Sequence, residues 1–449
     1  MVLQWINAWR SSPHRAIGKL AGPIFFSNIT IPLLGVVDTA VMGHLDDPVY
    51  LAGVALGSAL IGFLWWLMNF LRMGTTGLCA QYVGQGHIGA CYSLLRQGLL
   101  LGLAIACLLI LFHRLLFEAA LYWTAHQPEV SALARDYVSI RIWGAPAYFA
   151  FYVFHGWLLG RQNAIAPVSL LIVINIINII LDLWFVVGLG WGVKGAAYAS
   201  LISEYLGVCA AGIVVMRYYW IERQAVREST GAGLNFVGFF AVNRDILLRS
   251  LMLQLCFLSI PYLGSQQSET TMAANAILQN MLMVLAFALD AYAHAAEALV
   301  GKAIGRRSHK ETTSTIIGCF GWAFITSTLF SLLFWIAQLP IIHLLTDIPE
   351  VVAEVSRYWF WIVWLPLIAV ACFTWDGVFI GAARARDMRN NMAWAAGLGF
   401  MPCAWGLLPY LGNHAVWLGI WLLMIIRGLG LGATAWKLHQ RGWQHLAVA

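Results

Sequence analysis

Charge is what this sequence has least of. Of its 449 residues only 10% are Asp, Glu, Lys or Arg, while 61% are hydrophobic. A water-soluble chain of this length could not hide so much apolar surface, which excludes soluble enzymes and soluble binding modules. The eight cysteines, Cys79 to Cys403, contain no CxxC pair and fall in or beside apolar runs. That spacing argues against zinc and dithiol motifs and reads as buried, inert thiols. The N-terminal MVLQWINAWRSSPHRAIGK has neither an apolar core of signal-peptide length nor a cleavage site, so the first apolar run is expected to be retained. The alternation of a membrane barrel strand is missing as well.

What is present is a series of long apolar runs, with a mean hydropathy of +0.76 for the whole chain. Twelve begin near residues 15, 49, 92, 130, 163, 195, 243, 272, 313, 351, 392 and 415. Each can supply the roughly 20 residues a helix needs to cross a ~30 Å hydrocarbon core. Backbone groups in lipid must bond within their own segment, so these runs are read as helices.

Basic residues set the orientation. Arg10, Arg15 and Lys19 precede the first run, and Arg217, Arg223, Arg227 and Arg244 surround the central connection. Lys302, Arg306, Arg307 and Lys310 follow the eighth run, and Arg384, Arg386 and Arg389 the tenth. The alternate loops, HLDDPVY, GSQQSETT and LTDIPEVVAE, are free of Lys and Arg. The positive-inside rule then puts both termini in the cytoplasm. The net charge of +6 reports this topology and gives no nucleic-acid patch.

The halves echo each other. LAGVALG at 51–57 matches MAANAIL at 272–278, AQYVG at 80–84 matches GKAIG at 301–305, and GWLLG at 156–160 matches GVFIG at 377–381, each pair 221 residues apart. A shared offset points to duplication of a six-helix unit. Six is even, so both copies enter the membrane in the same sense. The expected fold is therefore all-α and integral to the membrane, with twelve transmembrane helices in two six-helix lobes related by a parallel pseudo-two-fold repeat. The lobes are expected at 1–218 and 243–449, joined by a cytoplasmic linker at 219–242.

Against this background single carboxylates stand out. Asp38 is the only charged residue between Ala21 and Val41. At the centre of a spanning helix it costs about 2.5–3.5 kcal/mol on insertion scales, so it needs a purpose. In the fifth run, VSLLIVINIINIILDLWFVVGLG, Asn175, Asn178 and Asp182 lie on one helical stripe. The sixth places Ser200 four residues before Glu204, after the small residues Gly195, Ala196, Ala197 and Ala199. The 221 offset sets Asp182 opposite Cys403 and Asn178 opposite Gly399: the scaffold is repeated and the charges are not. Function concentrated in one lobe is the expectation. Two neighbouring buried acids can share a proton near neutral pH, or, with amide and hydroxyl oxygens, hold a small hard cation. They can equally be structural acids bonded to Asn and Ser. Pro23 and Pro32 each remove a helical hydrogen bond and are candidate hinges. Arg72, Arg249 and Arg427 are read as snorkelling or pairing with helix ends. HLDD at 44–47 reads as a turn and helix cap, the only faint hint of a metal or enzymatic site.

SNITIPLLGVVDTAVMGHL, NIINIILDLWFVVGLGWGVKGAAYAS, NRDILLRSLMLQLCF and DGVFIGAARARDMRNNM together resemble the MATE (multidrug and toxic compound extrusion) transporters of the DinF-type branch. The resemblance runs from about residue 14 to 435. It implies a secondary antiporter, not an enzyme, that exports cationic or lipophilic drug-like compounds against an inward proton or sodium gradient. It implies a coupling site at Asp38, Asn178, Asp182, the Ala196 carbonyl and Ser200, bending at Pro23, and in other branches an acid on the tenth helix, which Asp376 could match. Asn175 and Glu204 are secondary candidates. The working expectation is proton-coupled multidrug efflux by a monomer surrounded by membrane lipid, with no cofactor beyond H+ or Na+. Sodium-coupled export and a lipid or lipid-linked-saccharide flippase are the alternatives.

Overall fold

The computed structural model describes residues 9–43, 48–124, 127–228 and 236–447, with backbone alone at 29–43, 48, 122–124, 228 and 444. These residues are helical almost throughout, and no strand occurs among them. Helices begin where the apolar runs do. The first six are His14–Gly43, Val49–Gln85, Ile88–Thr124, 128–160, Ile165–Gly188 and Gly192–Glu228. The second six are Phe236–Ser265, Glu269–Gly305, His309–Ile336, Pro349–Gly381, 385–411 and Asn413–Arg441. Among the described residues, nine are long and apolar enough to cross a bilayer. The first is described only in part, and the fourth and eleventh are interrupted by 3-10 or π turns.

Local chemistry fixes the ends. Ser308 accepts a hydrogen bond from the Glu311 N–H at 3.2 Å, the S-x-x-E pattern of an N-terminal capping box. Ser268 caps the eighth helix through the Thr271 N–H at 3.0 Å.

The duplication is written into the packing. Gly156 of the fourth helix lies so close to the backbone of Arg72 that a Cβ would strike the Arg72 carbonyl, and Gly377 of the tenth does the same to Ala293. One turn on, Gly160 meets Thr76 O and Ala80 N, while Gly381 meets Glu297 O and Gly301 N. Every one of these pairs is related by 221 residues, so the second and fourth helices cross as the eighth and tenth do. Left-handed backbone recurs at the same offset, at Gly86 and Arg307 and again at Gln162 and Ala383. The small-residue crossings let helices approach where lipid supplies no hydrophobic drive between them.

The chain forms two compact units. One comprises Phe26–Phe239; the other gathers the residues from Phe240 onward together with the segment ending at Phe25. This differs from a division at 1–218, 219–242 and 243–449 in two places. The sixth helix continues to Glu228 and the seventh starts at Phe236, so both described ends of the connection are helical. The start of the first helix also packs with the later unit. There Ser12 Oγ donates to Ser314 O at 2.7 Å, and the Trp9 ring fills the space left by Gly321. His14 Nε2 bonds Trp9 O at 2.8 Å while the Trp322 indole donates to His14 Nδ1 at 3.1 Å.

Six of the eight cysteines are buried; Cys107 and Cys209 are exposed, and all eight are free thiols. Their helices present apolar surface there, with Leu108, Leu111 and Ile213 among the exposed residues, as a lipid-facing surface requires.

Candidate functional site

The fifth helix turns two faces to its surroundings. Ile172, Ile176 and Ile180 are exposed, whereas Asn178 and Asp182 are 3% and 2% exposed. Asn175, one turn earlier, is half-buried. The polar stripe read from the sequence therefore looks into the Phe26–Phe239 unit, as burial of an amide and a carboxyl in a membrane helix demands. Asn178 Nδ2 donates to Ser200 Oγ at 3.3 Å, joining the fifth helix to the sixth. Ser203 Oγ in turn bonds Ser200 O at 2.9 Å. Small residues permit this approach: Gly195 sits against the backbone of Phe185, and Ile174 nests on Gly207. Ala196 lies in an apolar cluster with Val54, Val186 and Val193. Directly after Asp182 the helix widens into a π turn, Leu183–Gly188. Such turns are uncommon and concentrate at functional sites.

The structure thus brings together Asn178 and Ser200, with Asp182 buried one turn further along the same stripe. Asp38 and Pro32 lie on the first helix, but their side chains, like HLDD at 44–47, fall outside the described residues. Pro23 is half-buried within the unbroken helix His14–Gly43, two residues before the Phe25 boundary.

Glu204 has a different setting. Arg141 of the fourth helix donates to both its carboxylate oxygens at 2.8 Å, and both side chains are 8% exposed. The Trp65 indole reaches Glu204 Oε1 at 3.4 Å and stacks on Tyr148. A Cβ at Gly144 would meet Glu204 Oε2, so any larger residue there makes the carboxylate shift. Two opposite charges joined by a pair of hydrogen bonds can stay buried where a lone carboxylate could not. Arg141 was not singled out from the sequence. Its signal was simply a charged residue inside an apolar run.

In the other unit, Asp376 of the tenth helix meets Arg249 of the seventh and Arg427 of the twelfth. Both guanidiniums donate to Asp376 Oδ2, Arg427 at 2.5 Å. This corrects the reading of Arg249 and Arg427 as snorkelling or end-pairing residues: they are 5% and 2% exposed and converge on one carboxylate. The convergence spans 127 and 51 residues of sequence, and no local pattern announces it.

Comparison with known proteins gives these geometries a context. A family model described as MatE matches residues 23–184 and 246–405. The chain belongs to the MatE family. This MatE transporter is 44% identical over 436 residues to DNA damage-inducible protein F of Escherichia coli strain K12, covering 97% of this chain and 94% of that protein. It is 23% identical to a probable multidrug resistance protein, NorM, of Thermotoga maritima, covering 91% of this chain and 89% of that one. Its fold superposes on a MOP superfamily transporter from Pyrococcus furiosus with a TM-score of 0.83 at 19% identity, covering 97% and 98% of the two chains. The fold is the twelve-helix, two-lobed MATE arrangement. As a member of the MatE family the protein is a secondary transporter and not an enzyme.

Proposed function

We propose that this transporter is a proton-driven antiporter exporting cationic or lipophilic drug-like compounds across the bacterial inner membrane. In this reading it works as a monomer by alternating access between its lobes, with both termini cytoplasmic. The observation that carries it is the Asn178–Ser200 bridge beside buried Asp182 in membrane-spanning helices. A carboxylate on that stripe is costly to keep both dry and charged. Binding a proton removes the cost, so the protonated and charged forms favour different degrees of opening to water. Substrate and proton then drive exchange if each favours a different arrangement of the lobes, since a ligand shifts an equilibrium only by its differential affinity. Asp38 would supply the second acid, and Ser200 and the Ala196 carbonyl further oxygens.

The same oxygen set suits Na+, which accepts carboxylate, amide, hydroxyl and carbonyl ligands together, and this keeps sodium-coupled export as the second reading. The test is purified protein in proteoliposomes, with export of ethidium measured under a pH gradient alone and a sodium gradient alone. Export under the pH gradient alone supports the proposal; export under sodium alone replaces it with the second reading. Movement of lipid or saccharide-lipid with both gradients collapsed would instead identify a flippase.

A further inference from the structure

The cluster around Asp376 is unlike the Asn178–Ser200 region in one chemical respect: its partners carry full, permanent positive charge. Arg249 and Arg427 come from two different helices and both donate to the same oxygen, Oδ2. The side chains of Arg249, Arg427 and Asp376 are buried, at 6%, 3% and 11% exposure. Arg427 Nη1 touches Met424 Sδ at 3.5 Å, and Asn391 of the eleventh helix holds the Arg427 carbonyl at 2.9 Å. Asp290 of the eighth helix lies within electrostatic range of Arg249, so the second guanidinium has an acid of its own nearby.

A guanidinium does not lose its proton in a protein, and here it cannot diffuse away. Two tethered guanidiniums already occupy Asp376 Oδ2, so a sodium ion must displace one of them to take their place on that oxygen. By the 221-residue repeat, Asp376 stands where the first lobe has His155, so this acid is an addition to the duplicated scaffold.

We propose that Arg249 and Arg427 are ion-specificity residues: they make Asp376 a cation site permanently filled by the chain itself, so the second lobe carries no coupling ion. The ion-to-substrate ratio is then set by the first lobe alone. The inference rests on the reading of this chain as a cation-coupled exporter.

The deciding experiment exchanges the charges. Asp376→Asn leaves two guanidiniums facing one another and should lose export or protein level. Arg249→Asp with Asp376→Arg keeps the same charges in the same space. It should recover ethidium export in proteoliposomes to the order of the wild type, with the ion-to-substrate ratio, read from the gradient that just halts net flux, unchanged. An exchanged variant that is monodisperse yet inactive, or whose ratio falls, overturns the proposal. If the exchanged variant does not fold, Asp376→Asn with Arg427→Met removes one charge of each sign. Its release of protons on binding ethidium should equal that of the wild type, and a smaller release overturns the proposal. Wild-type protein that exports under neither ion gradient would overturn the coupling reading itself, an outcome distinct from a fallen ratio in a coupled protein.

Discussion

Arg141 grips Glu204 with both terminal nitrogens, each 2.8 Å from a carboxylate oxygen, in a place where both side chains are almost fully buried. Breaking a buried pair from one side strands the other charge, at a cost of about 3–5 kcal/mol. Glu204→Ala and Arg141→Leu should each lower the thermal midpoint of purified protein sharply. The double change Arg141→Met with Glu204→Leu should recover most of the loss, because it leaves no charge behind. Gly144→Val should mimic the single changes by displacing Glu204 Oε2. A double variant as unstable as the singles would refute the pair as an isolated unit.

The repeated crossings give a symmetric expectation. Gly156→Val and Gly377→Val both push a side chain into a neighbouring helix backbone, which cannot swing aside as a flexible side chain would. Overpacking of this kind costs about 1–3 kcal/mol or more. Both variants should lose folded protein in size-exclusion profiles to a similar degree, and a tolerant Gly377→Val beside a damaging Gly156→Val would contradict the equivalence of the two crossings.

The polar stripe should separate function from folding. Asp182→Asn keeps shape and removes titration, so export is expected to disappear while protein level and thermal midpoint stay near normal. Ser200→Thr retains a hydroxyl opposite Asn178 and should export; Ser200→Val should not. Combining Asp38→Asn with Asp182→Asn should do no more harm than either alone, since residues that act as a unit are not additive. Dye export from intact cells reads all five variants.

How much of this was legible beforehand follows from the range of the forces involved. Hydropathy acts over one helix, so all twelve starts could be read from the sequence, and even the broken fourth and eleventh helices kept their apolar signal. The offset of 221 was visible in three short matches, and the glycine crossings and left-handed turns then repeat it in space. The Asn178–Asp182 stripe was legible because helical periodicity places those residues on one face. Arg249, Arg427 and Arg141 were misjudged or missed because an ion pair between distant helices leaves no periodic trace. Their partners lie 127, 51 and 63 residues away. Gly144 could not be recognised either, as its role exists only once Glu204 is beside it.

The anchorage of the N-terminal segment can be loosened separately. Gly321→Leu would occupy the space of the Trp9 ring, and Trp322→Ala would remove the indole that donates to His14. A hydrogen bond of this sort contributes about 0.5–1.5 kcal/mol net, so the segment should open locally while the rest of the fold stays intact. Tryptic cleavage after Arg10 and Arg15 should accelerate in both variants with little change in thermal midpoint. Equal cleavage rates would mean that these contacts do not hold the segment.

One rod of helix, His14–Gly43, answers to two masters: its opening turns are counted with one compact body and its remainder with the other. Pro23 contributes no N–H to the Lys19 carbonyl, so the helical hydrogen-bond ladder lacks a rung two residues before the boundary at Phe25. A helix built this way changes its packing allegiance within a turn of a missing rung in its own backbone ladder.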